Sequence, residues 1–482
     1  MTSRGTSTRG AAIFDLDRTL LSGASGPIIS ESLRHVGLLS GATGPFETLA
    51  FGFFNLVGET WPSMFLSRQG ARASRGWSVD LVRAAAERAA EPLADAVLPY
   101  AKQMIDEHRV AGRRLVMATT TPIDLIDPLA QRLGFDDVIA TRYGRHGGRF
   151  DGTIDGDFVW GKGKARAVAE WAFRHEVDLD TSYAYSDSYY DVPLLSIVGH
   201  PHAVNPDPRM LGIATLRRWP VVYFDVPSGV PKFAGLEPQR VLLMLAQPQL
   251  FPWVRFDIEG IENIPAQGPA VLVANHRSYF DPLAIGFVLA RRGRPVRFLG
   301  KKEVFDAPVV GDVVTALGGI RVDRGTGSEE PLRAAEMALA AGELVAIMPQ
   351  GTIPRGPAFF DPELKGRWGA AKLASAADVP VIPIGLWGTE EVWPRSSKLP
   401  DVTNVLTPPK VKIRVGEPIE LPGDDLDDDT TTMMSAVAAL LPPEASRPYT
   451  PSRDELAMTY PGGIIPDDDD AAHESHRRPG TD

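Results

Sequence analysis

The sequence contains no cysteine, which removes any disulfide framework, thiol nucleophile or cysteine-ligated zinc site. It also has no uninterrupted apolar run approaching the roughly 18–20 residues that a membrane-spanning helix requires. The nearest approach, Val241–Phe256, is broken by Gln247, Pro248, Gln249 and Pro252 and reads either as a helix packed on a core or as a segment lying in a membrane interface. The stretch Met1–Gly10 is short and polar, so a secretory signal is not expected and the chain reads as cytoplasmic. Excess charge is missing too, once the formal −11 is located. Residues 421–482 carry fourteen acidic residues against four arginines, a net −10 that leaves everything before them near neutral. The acidity therefore does not oppose an anionic substrate.

What is present suits two enzymatic cores, because 482 residues exceed one hydrophobic core and 44% hydrophobic content exceeds that of a disordered chain. Pro206, Pro208, Pro220, Pro227, Pro231 and Pro238 mark a connection between the halves. The expected organisation is a disordered start to residue 10, a first domain over 11–212 with an insertion at about 22–110, and a linker over 213–245. A second domain follows over 246–420, and then an acidic tail over 421–482, mostly disordered, with one helix at Thr431–Leu441.

The first half opens with Ile13-Phe14-Asp15-Leu16-Asp17-Arg18-Thr19, where the apolar run Ala11–Phe14 reads as a buried parallel strand delivering two carboxylates to one face at its carboxyl end. A second apolar run, Leu115–Ala118, ends at Thr119-Thr120-Thr121. Lys162 and Lys164 then open an amphipathic helix, its spacing through Val168 and Trp171 favouring Lys164, and Ser186-Asp187-Ser188-Tyr189-Tyr190-Asp191 closes a further strand. Phosphoryl transfer needs a nucleophile, a proton donor and positive groups around the non-bridging oxygens. A carboxylate serves as nucleophile through an aspartyl-phosphate, and the remaining acids suit Mg2+, a hard cation that takes oxygen ligands.

In their order these four pieces resemble the haloacid dehalogenase phosphatases, in particular the phosphoserine-phosphatase-like branch. The resemblance implies a doubly wound, Rossmann-like α/β sheet with a helical cap, Asp15 as nucleophile and Asp17 as acid and base. It further implies Thr119 and Lys164 as phosphate ligands, Asp15, Asp187 and the Asp17 carbonyl as Mg2+ ligands, and Asp191 as the group that orients that metal shell. Ser186 stands where the family usually has glycine. In the expected cap, Phe46–Leu66 gathers Phe51, Phe53, Phe54, Leu56, Val57, Trp61, Met64 and Phe65, either as a cap core or as an apolar entrance for a lipid.

The second half carries Asn275-His276-Arg277-Ser278-Tyr279-Phe280-Asp281-Pro282 after the apolar run Ala270–Ala274. Asp281-Pro282 reads as an N-cap followed by proline at the first helical position, which brings His276 and Asp281 together. A neutral imidazole held by a carboxylate is a suitable base for a hydroxyl attacking a thioester. Gly319-Ile320-Arg321-Val322-Asp323-Arg324, Pro349-Gln350-Gly351-Thr352 and Val379–Ile384 follow.

This order is similar to the glycerolipid acyltransferases over about 250–420. The resemblance implies an αβ acyltransferase domain with His276 as base, Asp281 as its partner, and Arg324, Gln350, Gly351 and Thr352 on the acceptor side. Acyl-coenzyme A would be the donor, acyl carrier protein the alternative donor, and a lysophospholipid the acceptor, 1-acylglycerol 3-phosphate foremost. The family's usual Glu-Gly-Thr-Arg is altered here by Gln350 and Ile353, with Arg355 two positions late. Nearly the whole chain is similar to actinobacterial bifunctional chains that fuse the two families.

The basic run Arg291, Arg292, Arg294, Arg297, Lys301 and Lys302 reads either as a solvated helix end or as a contact for anionic headgroups or coenzyme A phosphates. No aromatic platform accompanies it, so nucleic acid is not expected. Together these features suggest a peripheral enzyme on the cytoplasmic membrane face. Two alternatives stay open: a phosphoserine-like small-molecule phosphatase with an altered or inactive acyltransferase, and a membrane-surface binding module with relic sites.

Overall fold

The computed structural model describes residues 10–39, 69–233, 235–323, 330–447 and 449–466, in two compact units that divide after Ser228. The aromatic stretch Phe46–Leu66, Arg324 and the acidic end Asp467–Asp482 lie outside the described residues.

The first unit is built on strands β1 (Ala11–Phe14), β2 (Arg114–Pro122), β3 (Asp137–His146), β4 (Arg149–Asp155), β5 (Tyr183–Ser186), β6 (His200–Val204) and β7 (Val221–Val222). They order as β4-β3-β2-β1-β5-β6-β7, parallel except for the β3–β4 hairpin. Both faces of the sheet are covered, which is why β1 is an unbroken apolar run. Ala12, Phe14, Leu115 and Met117 pack in one core with helices Val79–Asp95 and Ile123–Arg132, while Ala11, Ile13, Val116 and Ala118 pack on Val168 and Trp171 of helix Lys162–Arg174. Phe14 is level with Met117 on one side and Tyr185 on the other, so the carboxyl ends of β1, β2 and β5 form one ledge. Helix Pro99–Val110, inside the expected cap segment, instead covers the sheet: Ala101 and Ile105 share the core of β1, and His108 meets Phe14 edge-on.

The second unit orders its strands as β11-β10-β12-β9-β13-β14-β8, with β8 (Arg255–Glu259), β9 (Ala270–Ala274), β10 (Val296–Lys301), β11 (Ile320–Val322), β12 (Leu344–Ile347), β13 (Val381–Trp387) and β14 (Lys410–Val415). Only β13 and β14 run antiparallel. Alternation again divides a central strand, with Ala270, Leu272 and Ala274 on one face and Val271 and Val273 on the other.

Two expectations change here. The segment after residue 421 is not mostly disordered, since described structure continues to residue 466. Its helix runs Leu426–Ala439 and buries Met433, Met434 and Val437, because Asp425 caps it through the Asp427 and Asp428 amides at 2.8 and 3.3 Å, and three aspartates complement its positive end. The basic run is also largely consumed by the fold. Arg294 donates to the carbonyls of Pro265, Gly268 and Gly342, Arg292 to that of Ile264, and Arg297 is buried between Glu237 and Glu343. Desolvation of Arg297 opposes its charge, but the two carboxylates hold its pKa above the ordinary guanidinium value.

Candidate active sites

The ledge at the ends of β1, β2 and β5 gathers Asp15, Thr119 and Asp187, each buried, and helix Lys162–Arg174 adds Lys164. Lys162 is exposed and Lys164 buried, as the spacing of Val168 and Trp171 requires. Gly161, just ahead of that helix, has φ +55, a conformation glycine adopts without strain. Lys164 Nζ donates to Asp15 Oδ1 at 2.9 Å and to Asp191 Oδ2 at 2.6 Å, so one buried ammonium holds two carboxylates. Ser186 Oγ donates to the same Asp191 oxygen at 2.7 Å and accepts the Ser188 N–H at 3.2 Å. The serine in place of the family's usual glycine therefore adds a hydrogen bond rather than disturbing the turn.

Asp17 is not placed by strand alternation, because β1 stops at Phe14 and the chain turns through Arg18 at φ +59. Instead Asp17 accepts the Ser25 N–H, and Thr121 Oγ1 donates to its Oδ2 at 3.3 Å. Burial raises its pKa above the ordinary carboxylate value; the Ser25 and Thr121 bonds and the Lys164 charge pull down without cancelling this. A carboxyl that keeps its proton is suited to donating one. Thr119 Oγ1 accepts the Thr121 N–H at 3.2 Å.

Sequence reasoning missed Arg18. Its Nε lies 3.0 Å from Asp187 Oδ2, while Thr19 Oγ1 donates to Asp187 Oδ1 at 3.3 Å. The donor set suits a hard cation: Asp15, Asp187 and Asp191 carry three carboxylates in a buried ledge, and Asp191 Oδ1 is buried with no hydrogen bond. No three His, Asp or Glu side chains among the described residues are already gathered around one point, so a cation there would also draw on a main-chain oxygen.

In the second unit His276 and Asp281 flank the end of β9. Asp281 Oδ2 accepts from His276 Nδ1 at 2.7 Å, which leaves Nε2 as the basic nitrogen. Asp281 is fully buried and begins helix Asp281–Arg292 without capping it. Its Oδ2 turns back to the Arg277 and Ser278 amides at 2.6 and 2.8 Å, and Thr389 Oγ1 donates to Oδ1 at 2.6 Å. Asn275 exchanges two hydrogen bonds with Leu386, extending the β9–β13 pairing and fixing the loop.

Gln350 closes the site from β12: its Oε1 accepts the main-chain N–H of His276 at 2.6 Å. Gly351 has φ +72, as the turn demands, and Thr352 is half-buried beside it. Ile353 is buried, so an arginine there would have no water to reach. Arg277 lies over the Phe359 and Trp387 rings, 4.3 Å from each centroid, and donates to Glu390 Oε1 at 2.6 and 2.9 Å. Neither Thr389 nor Glu390 carries a local sequence signal.

A haloacid dehalogenase-like hydrolase model matches residues 12–196. The "Inhibition of morphological differentiation protein" of Streptomyces azureus is 36% identical over 248 residues, 49% of this chain and 88% of that one. The chain belongs to the haloacid dehalogenase-like hydrolases. A phosphoserine phosphatase of Mycobacterium tuberculosis is 35% identical over 236 residues, 47% of this hydrolase chain and 76% of its relative. An acyltransferase model matches residues 255–387, so the hydrolase is fused to an acyltransferase domain. The 1-acyl-sn-glycerophosphate acyltransferase of Thermotoga maritima aligns at 25% identity and TM-score 0.31, over 42% of this chain and 80% of that one.

Proposed function

We propose that the chain is a bifunctional enzyme of phospholipid synthesis, transferring an acyl group from acyl-coenzyme A to a lysophospholipid, 1-acylglycerol 3-phosphate foremost, and hydrolysing a phosphomonoester. The 2.7 Å bond between His276 Nδ1 and Asp281 Oδ2 carries the acyl-transfer half. With Asp281 holding that tautomer, His276 Nε2 takes the proton of the acceptor hydroxyl as its oxygen attacks the thioester carbonyl. The proton then passes to the departing thiolate of coenzyme A; an acyl carrier protein thioester would leave in the same way. Gln350, Gly351 and Thr352 line the acceptor side in this reading, and the family resemblance makes Arg324 the ligand of the acceptor phosphate.

In the hydrolase half, Asp15 attacks phosphorus while Asp17 gives its proton to the leaving oxygen. Asp17 then takes a proton from the water that cleaves the aspartyl-phosphate. Thr119 and Lys164 hold the non-bridging oxygens. Mg2+, on which enzymes of this family generally depend, would be held by Asp15, Asp187 and the Asp17 carbonyl, with Asp191 orienting that shell; it supplies neutralising charge to the phosphoryl group.

No helix among the described residues is long and apolar enough to cross a membrane. Helix Pro238–Leu245 is anchored inward by Glu237 to Arg297 and by Gln239 to the main chain of Val296, yet Leu242, Met244, Leu245 and Leu250 stand exposed, as does Leu283 on the helix that Asp281 begins. This supports a peripheral seat on a lipid surface. Phosphate release from lysophosphatidate, phosphatidate and phosphoserine by the native chain and by Asp15→Asn tests the hydrolase half. Release from either lipid, lost in the variant, supports a common pathway; release from phosphoserine alone favours a small-molecule phosphatase.

A further inference from the structure

We propose that Arg18 is a resident counter-ion of the hydrolase site: it holds Asp187 while no cation is bound and must release it when one enters, so that it sets the cation affinity. The inference rests on the reading of Asp187 as a cation ligand.

Three observations support it. First, Arg18 Nε lies 3.0 Å from Asp187 Oδ2, with Asp187 buried and Arg18 nearly so, which makes this a partly desolvated ion pair rather than a surface one. Second, Arg18 sits at φ +59, its N–H bonded to Gly23 O at 3.0 Å. Glycine would take that conformation without steric conflict, so the backbone gives no reason for an arginine there and its side chain does.

Third, two different cations hold the acids of the ledge. Lys164 lies between Asp15 and Asp191. Asp187 is the acid that Arg18 faces. Thr19 reinforces the arrangement, donating from Oγ1 to Asp187 Oδ1 and accepting the Asp187 N–H at 3.0 Å, so the β1 loop grips this carboxylate along its whole edge. A divalent cation and the guanidinium then compete for one oxygen, and a competition of this kind is a coupling free energy between the two.

Mg2+ binding to the whole chain by titration calorimetry, with melting temperature scanned with and without Mg2+, tests this. Arg18→Gln is expected to melt lower than the native chain without metal, to bind Mg2+ about tenfold more tightly, and to gain more in melting temperature when Mg2+ is added. Arg18→Gly, which fits the backbone, should behave alike and serves if Arg18→Gln does not fold. Unchanged or weaker Mg2+ binding in both variants would overturn the proposal. Asp187→Asn separates the two levels: if it abolishes binding while the Arg18 variants bind like the native chain, only the counter-ion role fails. If it binds Mg2+ like the native chain, the ligand reading fails and the counter-ion role with it.

Discussion

Gln350 Oε1 accepts the main-chain N–H of His276 across 74 positions of sequence. An N–H can only donate, so the amide oxygen must face it, and the side chain's orientation is fixed by chemistry. A glutamate at this position would offer the same oxygen. The departure from the family's pattern therefore keeps the contact that seats the base, and Gln350→Glu should retain acyl transfer within about threefold. Gln350→Leu, which strands the amide, should lower kcat/KM about tenfold, since an unsatisfied buried donor costs about 1–3 kcal/mol. Steady-state kinetics with one acyl donor distinguishes the two.

Thr389 gives Asp281 Oδ1 its hydrogen bond from 108 positions away, with both side chains fully buried. Thr389→Val keeps the shape and removes the donor. It should cost about 1–3 kcal/mol of stability and lower acyl transfer, while Thr389→Ser should recover most of both. Denaturant unfolding and kcat measured together check this, and unchanged kcat in the valine variant would contradict a positioning role.

These separations mark what the sequence could and could not disclose. Asp15, Thr119, Lys164 and His276 were legible because each follows an apolar strand or opens an amphipathic helix, a pattern that places it at a strand end or an inward face. Arg18 opposite Asp187, Gln350 beneath His276 and Thr389 against Asp281 were not, because their partners meet only when distant strands align. The tail misled for another reason. Asp424, Asp425, Asp427, Asp428 and Asp429 look like a solvated acidic run, yet Asp425 caps a helix and Asp429 is buried, accepting the Gly423 N–H at 3.1 Å.

Asp17 makes a pH-dependent prediction. Its pKa is raised in the folded chain by burial, so the folded state holds this proton more tightly than the unfolded one, and the group costs stability once pH rises above the ordinary carboxylate value of 3.8. Asp17→Asn should therefore melt higher than the native chain at pH 7, the difference shrinking as pH falls toward 4, while phosphatase turnover is lost. Calorimetric scans of both proteins across that range provide the check.

His108 works with the opposite sign. It is buried, accepts from Arg113 at Nδ1 and donates from Nε2 to Tyr185 at 2.8 Å; burial first, then the charges of Arg113 and His202, lower its pKa to about 4. The unfolded chain binds this proton from about pH 6.5 and the folded chain only near pH 4. Stability present at pH 7 is thus lost between those values, roughly 3 kcal/mol. His108→Gln should flatten that part of the stability profile of the first unit.

The C-terminal segment is expected to matter for acyl transfer alone. Thr459 Oγ1 accepts the Gly356 N–H at 2.8 Å, and Met458 O accepts the Ser396 N–H at 3.2 Å, so residues 453–463 tie down the loop after Thr352. Tyr460 is buried against Gly356, where a β-carbon would lie 2.6 Å from its hydroxyl. Tyr460→Ala and Gly356→Ala should each reduce acyl transfer severalfold and leave phosphate release unchanged.

The central claim is tested most directly by acyl transfer from labelled long-chain acyl-coenzyme A to a panel of lysophospholipids and glycerol 3-phosphate, using the native chain, His276→Ala and Asp15→Asn. The account predicts labelled phosphatidate from 1-acylglycerol 3-phosphate with the native chain and Asp15→Asn, and none with His276→Ala. Transfer to no acceptor, or transfer that survives His276→Ala, would contradict it.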